Sequence, residues 1–208
     1  MGAVTISSSY GAGGAWIGPA VAERLGFEFY DRAIPVAVAH QLAIAAEEVL
    51  EYDEKPPGRM ERMLQALANS VIPLGPDPSA EVLNNPRRIR EGTEVVLRSI
   101  ADGAGGVVLG RAAMAVLRGR PDVLCVRLDG PVEARLTLAI ERFGLDQATA
   151  EAAQRETDGA RESYSQMFYG VSQSDTSLYH VVLDSTALSS DACVQMIVDA
   201  ARDRLQLE

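Results

Sequence analysis

Four short, almost unbroken apolar runs set the terms for this chain: "AVTIS" at 3–7, "GVVLG" at 106–110, "VLCVRLD" at 123–129 and "YHVVLD" at 179–184. "FEFYD" at 27–31 reads as a further short extended segment. A strand that is apolar along both faces has to be covered on both, which favours a parallel sheet between two layers of helices. The segments between the runs have helical periodicity, so strands and helices alternate, as in an α/β fold with right-handed crossovers. Ligands in such folds sit at the carboxyl ends of the strands.

The helical segments are 15–25, closed by Gly26; 33–52; 60–72; 84–102, with Pro86 near its first turn; 111–119; 131–144; 146–169, interrupted near Gly159; and 189–206, with Ser or Asp as its cap. The breaks "DEKPPGR" (53–59) and "PLGPDPS" (73–79) are proline-rich loops.

Composition narrows the function. A net charge of -10 disfavours a nucleic-acid polymer as partner. It leaves room for a small nucleotide held in a local pocket of arginines. Of the 19 basic residues only Lys55 is a lysine. Cys125 and Cys193 lie among apolar residues and read as buried free thiols. His40 and His180 stand apart from any paired carboxylate or cysteine motif, so no metal site is expected. No apolar run approaches the roughly 20 residues a membrane span needs. "MGAVTIS" has neither a secretory pattern nor, with Ile6 at its sixth place, a myristoylation pattern. A cytoplasmic protein without membrane contact is expected.

Three features carry chemistry. The first is "VTISSSYGAGGAWIG" (4–18), a strand, a glycine-rich turn and a helix. Against the phosphate-loop pattern G-x-x-x-x-G-K-[ST], Gly14 stands at the lysine and Ala15 at the hydroxyl. The main-chain N–H groups of Gly11, Ala12, Gly13, Gly14 and Ala15 can still form an anion site that needs no side chain. The alternative is a tight turn without a ligand. The second is Arg111, which emerges from a buried strand and either grips a phosphate or caps the sheet through a carboxylate. The third is the polar helical region bearing Arg142, Arg155 and Arg161, which is either a lid over phosphates or a solvated face.

The segments "ISSSYGAGGAWIGPAVAERLGFEFYDRAI", "YDEKPP", "VVLGRAAMAVLRGRPDVLCVRL", "PVEARL" and "RETDGARESYSQMFYG…YHVVLDST" occur in order along nearly the whole chain. Together they resemble the cytidylate kinase-like family of bacterial phosphate-loop proteins. The resemblance implies a single three-layer P-loop NTPase-type domain over 1–208, with sheet order 2-3-1-4-5. It also implies an acceptor-side helical insertion at 33–102 and a lid at 142–178. ATP and Mg2+ would be the cofactors, with phosphate binding at Gly11–Ala15. Catalytic roles would fall to Arg111, Arg155 and Arg161. Arg111 and Asp31 would contact the acceptor. Asp31, in "FYDRAI", either orients the acceptor, holds a magnesium-bound water or caps a helix.

The family's loop reads like S-R-Q-Y-G-S-G-G-R-E-I-G, and its two arginines correspond here to Ser8 and Ala15. A lost loop cation that supplied roughly 3–5 kcal/mol would slow transfer by about 10²–10⁴. The sequence therefore supports an ATP-dependent kinase for a nucleoside monophosphate, cytidylate-like, or a related small substrate. It equally raises a non-catalytic nucleotide-binding or regulatory protein with a degenerate loop. The apolar helix from Met60 to Val71 offers a face for a homodimer.

Overall fold

Every described strand runs parallel, and the sheet order is the one the resemblance implies. The structure, a computed structural model, describes residues 2–31 and 86–207. In chain order these form β1 (Ala3–Ser8), α1 (Gly14–Leu25), β2 (Glu28–Tyr30), α2 (Pro86–Asp102), β3 (Gly106–Leu109), α3 (Ala113–Leu117), β4 (Val123–Asp129), α4 (Val132–Phe143), α5 (Gln147–Tyr169), β5 (Val181–Asp184) and α6 (Ser190–Leu205). The strands lie in the order β2-β3-β1-β4-β5. The expected helices at 33–52 and 60–72, the loops at 53–59 and 73–79, and the Met60–Val71 face lie outside the described residues.

Alternation along each strand divides the core. Val4, Ile6, Leu124, Val126 and Leu128 face α1 and α6, where they meet Ile17, Val21, Ile197 and Val198. Ala3, Val108, Val123 and Cys125 face the other way, onto Leu97 and Ile100 of α2 and Met114 and Leu117 of α3. Burying each such Val, Leu or Ile contributes about 1.5–3 kcal/mol. This is the three-layer architecture expected of near-continuous apolar strands. Cys125 and Cys193 are buried free thiols. Among the described residues, no helix is long and apolar enough to cross a membrane.

Three local expectations change. The helix at 111–119 shrinks to Ala113–Leu117. Gly110, Arg111 and Ala112 have φ of 74°, 60° and 48°, so the chain turns left-handed before the helix starts. Left-handed backbone costs non-glycine residues about 1–2 kcal/mol each. The helix at 146–169 is not interrupted at Gly159. It runs unbroken from Gln147 to Tyr169, with the Asp146 side chain accepting the Thr149 N–H at its start. A mid-helix glycine costs about 1 kcal/mol relative to alanine, which this long, anchored helix absorbs. β2 covers only Glu28–Tyr30 of the extended segment.

His180 leads into β5 and is paired to β4 through both main chain and ring. Its N–H donates to the Cys125 carbonyl at 2.8 Å, and its Nδ1 accepts the Cys125 N–H at 2.9 Å. Nδ1 must therefore stay unprotonated. Burial, then the nearby Arg204 and Arg118, push the His180 pKa below its ordinary value. A lowered pKa means the unfolded chain takes up this proton more readily. The stabilisation is complete above the ordinary histidine value of about 6.5 and is lost as pH falls from there toward the lowered folded value. Thermal melts between pH 7.5 and 5.5 should show Tm falling on acidification. His180→Asn, whose amide oxygen can accept the same N–H, should flatten that slope.

Candidate functional site

The carboxyl ends of the strands gather the candidate residues on one edge of the sheet. Ser8 ends β1, Asp31 follows β2, Arg111 follows β3, and Asp129 ends β4. α4 and α5 close over the same edge. At its centre is the turn between β1 and α1. Gly11 and Gly13 have φ of 79° and 87°, and Gly13 serves as the N-cap of α1. These are conformations that glycine adopts without strain.

Side chains from distant elements hold this turn from several directions. The Ser8 carbonyl accepts Arg161 Nη1 at 2.6 Å. Arg127 Nη2 donates to Ser9 Oγ at 2.6 Å. Tyr10 N–H donates to Asp158 Oδ1 at 2.7 Å, and the Tyr10 carbonyl accepts Arg135 Nη1 at 2.8 Å. The Ala12 carbonyl accepts the Ser185 hydroxyl at 2.7 Å. Of the candidate amides, Ala12 N–H donates to the Ser9 carbonyl at 3.0 Å and Gly14 N–H to Ser8 Oγ at 3.2 Å. Among the described residues, the N–H groups of Gly11, Gly13 and Ala15 make no hydrogen bond. Open N–H groups at a glycine turn that starts a helix are well placed for an anion.

Two arginines lie near this edge of the sheet, Arg161 on the turn itself and Arg111 beside Asp31. The left-handed chain after β3 directs Arg111 back toward β2, where its Nη2 donates to the Asp31 carbonyl at 3.3 Å. Desolvation lowers the Arg111 pKa; Asp31 and Tyr164 oppose that, and Arg161 reinforces it. Arg161 is lowered in the same way, by desolvation first, with Asp158 and Asp31 opposing and Arg127 reinforcing. Arg161 is exposed, so its desolvation reflects the density of protein nearby rather than enclosure. Both guanidiniums stay charged at neutral pH. Arg161 lowers the Arg111 pKa and Arg127 lowers that of Arg161, and neighbouring cations of this kind form a region of positive potential that suits a polyanion.

Arg155 is not brought to the turn. Its side chain is 68% exposed and lies 3.8 Å from Glu151, one helical turn away. The Trp16 ring packs against Gly13. Its Nε1 donates to Ser190 Oγ at 3.1 Å, and the Arg142 guanidinium lies 5.2 Å from its ring centroid.

Over residues 3–187 the sequence matches the cytidylate kinase-like family. The chain belongs to that family. No curated protein matches it. Among solved structures, an uncharacterized protein from Eubacterium ventriosum ATCC 27560 is similar with a TM-score of 0.68 at 16% identity, covering 97% of this chain and 98% of that one. A gluconokinase from Sinorhizobium meliloti 1021 is similar with a TM-score of 0.51 at 14% identity, covering 99% and 94% respectively. These likenesses show the fold alone, a five-stranded parallel sheet of order β2-β3-β1-β4-β5 between helices.

Within this cytidylate kinase-like chain, sequence reasoning passed over Arg127, Arg135 and Asp158. Arg127 and Arg135 are 8% and 5% exposed. Arg127 also pairs with Asp129 at 2.9 Å. Burial works to raise the Asp129 carboxyl, but Arg127, Ser9 and the Gly130 amide outweigh it and hold the pKa below the usual carboxylate range. A legible signal existed. Arg127 interrupts an apolar strand, and Gln154, Asp158, Arg161 and Ser165 recur at helical spacing on one face of α5. Among the described residues, no group of three or more His, Cys, Asp or Glu is arranged to hold a metal.

The turn tolerates little substitution. A Cβ at Gly11 would lie 2.2 Å from the Arg135 carbonyl oxygen. Gly11→Ala should cost on the order of 3 kcal/mol or more in denaturant unfolding. At Gly14, where the phosphate-loop pattern has lysine, a Cβ would lie 2.7 Å from Ser8 Cβ and 2.9 Å from Leu109 Cδ1. Gly14→Lys should therefore lose about 1–3 kcal/mol of stability and gain no ATP turnover in a coupled assay.

Proposed function

We propose that this protein is an ATP-dependent phosphotransferase acting on a nucleoside monophosphate, cytidylate-like, or a related small phosphorylatable substrate. The observation that carries this reading is a glycine turn with open N–H groups held by Arg161, with Arg111 near enough to feel the Arg161 charge. Phosphoryl transfer depends mainly on positioning and on stabilising charge spread over phosphate oxygens. Donor phosphates would rest on the N–H groups of Gly11, Gly13 and Ala15. Arg161 would meet the transferring phosphoryl group, and Arg111 with Asp31 would orient the acceptor. Residues 33–102 would complete the acceptor side.

Magnesium fits this site as a partner of ATP more than as a protein-bound ion. Ala15 supplies no hydroxyl, and Asp129 is engaged with Arg127 and Arg135. Mg2+ binds largely through phosphate oxygens and water, so a single carboxylate such as Asp31 would suffice on the protein side. The ion would neutralise phosphate charge.

A second reading rests on a specific contact. Ser8 Oγ occupies the Gly14 N–H, and the loop itself carries no cation. Nucleotide binding without chemistry would suit that arrangement. Calorimetric titration of Mg–ATP combined with ADP release over a panel of monophosphates separates the two. Turnover with at least one acceptor is expected, and binding with no turnover for any acceptor would favour the regulatory reading. In the same assay Arg161→Gln should lower kcat/KM by about 10²–10³. Arg155→Gln, on the exposed face of α5, should change it by less than about threefold.

A further inference from the structure

We propose that Asp158 is a positioning residue that docks α5 onto the glycine turn, so that Arg161 supplies from a distant helix the charge the turn itself lacks. This rests on the reading of the site just given. Both main-chain groups of Tyr10 are taken by one connected unit. The N–H donates to Asp158 Oδ1 at 2.7 Å, and the carbonyl accepts Arg135 Nη1 at 2.8 Å. The ring is closed by Arg135 Nη1 donating to Asp158 Oδ2 at 2.9 Å. Gln154 Nε2 donates to that same oxygen at 2.9 Å. Arg135 is tied in turn to the Gly130 carbonyl through Nε at 2.9 Å. The carboxylate therefore joins the turn, α4 and α5.

Arg161 lies three residues beyond Asp158 on the same face, about 4.5 Å further along the helix axis. Its Nη1 donates to the Ser8 carbonyl at 2.6 Å. Two contacts, at Tyr10 and Ser8, fix both the translation and the rotation of α5 against the turn. A third tie lies beyond the helix. Gln173 Nε2 donates to the Arg161 carbonyl at 2.8 Å, and its Oε1 accepts Arg127 Nη1 at 3.2 Å. Among the described residues, the remaining guanidinium N–H groups of Arg161 make no hydrogen bond. Arg111 is near enough for the Arg161 charge to lower its pKa. On this geometry the central part of α5 is a fixed cation-bearing wall, with its guanidinium set in advance of ligand binding.

The test begins with the ligand-free protein. Amide hydrogen exchange should show Tyr10 N–H strongly protected in the wild type. Asp158→Asn, which keeps an acceptor oxygen, should reduce the protection partly, and Asp158→Ala should abolish it. Mg–ATP titration, followed by calorimetry and by the fluorescence of Trp16, the chain's one tryptophan, then gives a double-mutant cycle. Asp158→Asn and Arg161→Gln should each weaken binding about tenfold, and the double variant should be no more than twofold worse than the weaker single one. Multiplied losses near a hundredfold would overturn the role of Asp158, as would a Tyr10 amide in the wild type that exchanges like an open loop. The wild-type exchange measurement decides even if the alanine variant fails to fold. Failure of the wild type to bind Mg–ATP would instead overturn the reading of the site, leaving the docking of α5 to be judged by exchange alone.

Discussion

A glycine turn with so few side chains of its own keeps its shape only because other parts of the chain satisfy its backbone. Buried main-chain groups must find partners, and one left alone costs about 1–3 kcal/mol. Here Arg161 and Arg135 take the carbonyls of Ser8 and Tyr10, Asp158 takes the Tyr10 N–H, and Ser185 takes the Ala12 carbonyl. The turn is thus held by three parts of the chain remote in sequence: α4, α5 and the segment after β5. Its conformation and its electrostatics share the same residues, so a change to one alters the other.

The chemistry follows from that economy. Phosphate loops usually carry their own ammonium group. In this chain, arginines from β4, α4 and α5 converge on the turn from outside, and Arg111, after β3, bonds to the Asp31 carbonyl. A guanidinium can hold a carbonyl with one N–H and direct others elsewhere. Arg161 does the first, and its position allows the second. Paired carboxylates such as Asp129 and Asp158 keep the cluster from repelling itself apart. The left-handed backbone at Arg111 and Ala112 is strained for non-glycine residues and is held by the packing of Ala112 in the core.

Much of the fold was legible because it depends on local pattern. "VLCVRLD" became β4 residue for residue, and Pro131 and Gly144 bound α4 as their conformational preferences require. Ser189 caps α6 through its hydroxyl. The misreadings came where long-range contacts outweighed propensity. Gly159 failed to break α5 because the helix is anchored on both sides of it, at Asp158 and Arg161. The helix after β3 lost its first turn because Gly110 to Ala112 adopt left-handed backbone. The candidate site was legible at Gly11, Gly13, Gly14, Arg111 and Arg161 as residues of the right kind. Arg127, Arg135 and Asp158 escaped notice because their role is to contact a turn far away in sequence, which no local window reveals.

Apolar periodicity, glycine placement and the near absence of lysine were decided by the order of amino acids alone. They specify a parallel sheet, a turn that can bind anions through its backbone, and arginine as the available cation. Which arginines meet that turn was decided only in three dimensions. Arg155 and Arg161 are equivalent by composition and lie on one helix, yet the rotation of α5 sends one to Glu151 in solvent and the other to the Ser8 carbonyl. The reason is geometric: residues six apart on a helix of 3.6 residues per turn point in widely different directions, and only docking at Asp158 selects which of them faces inward.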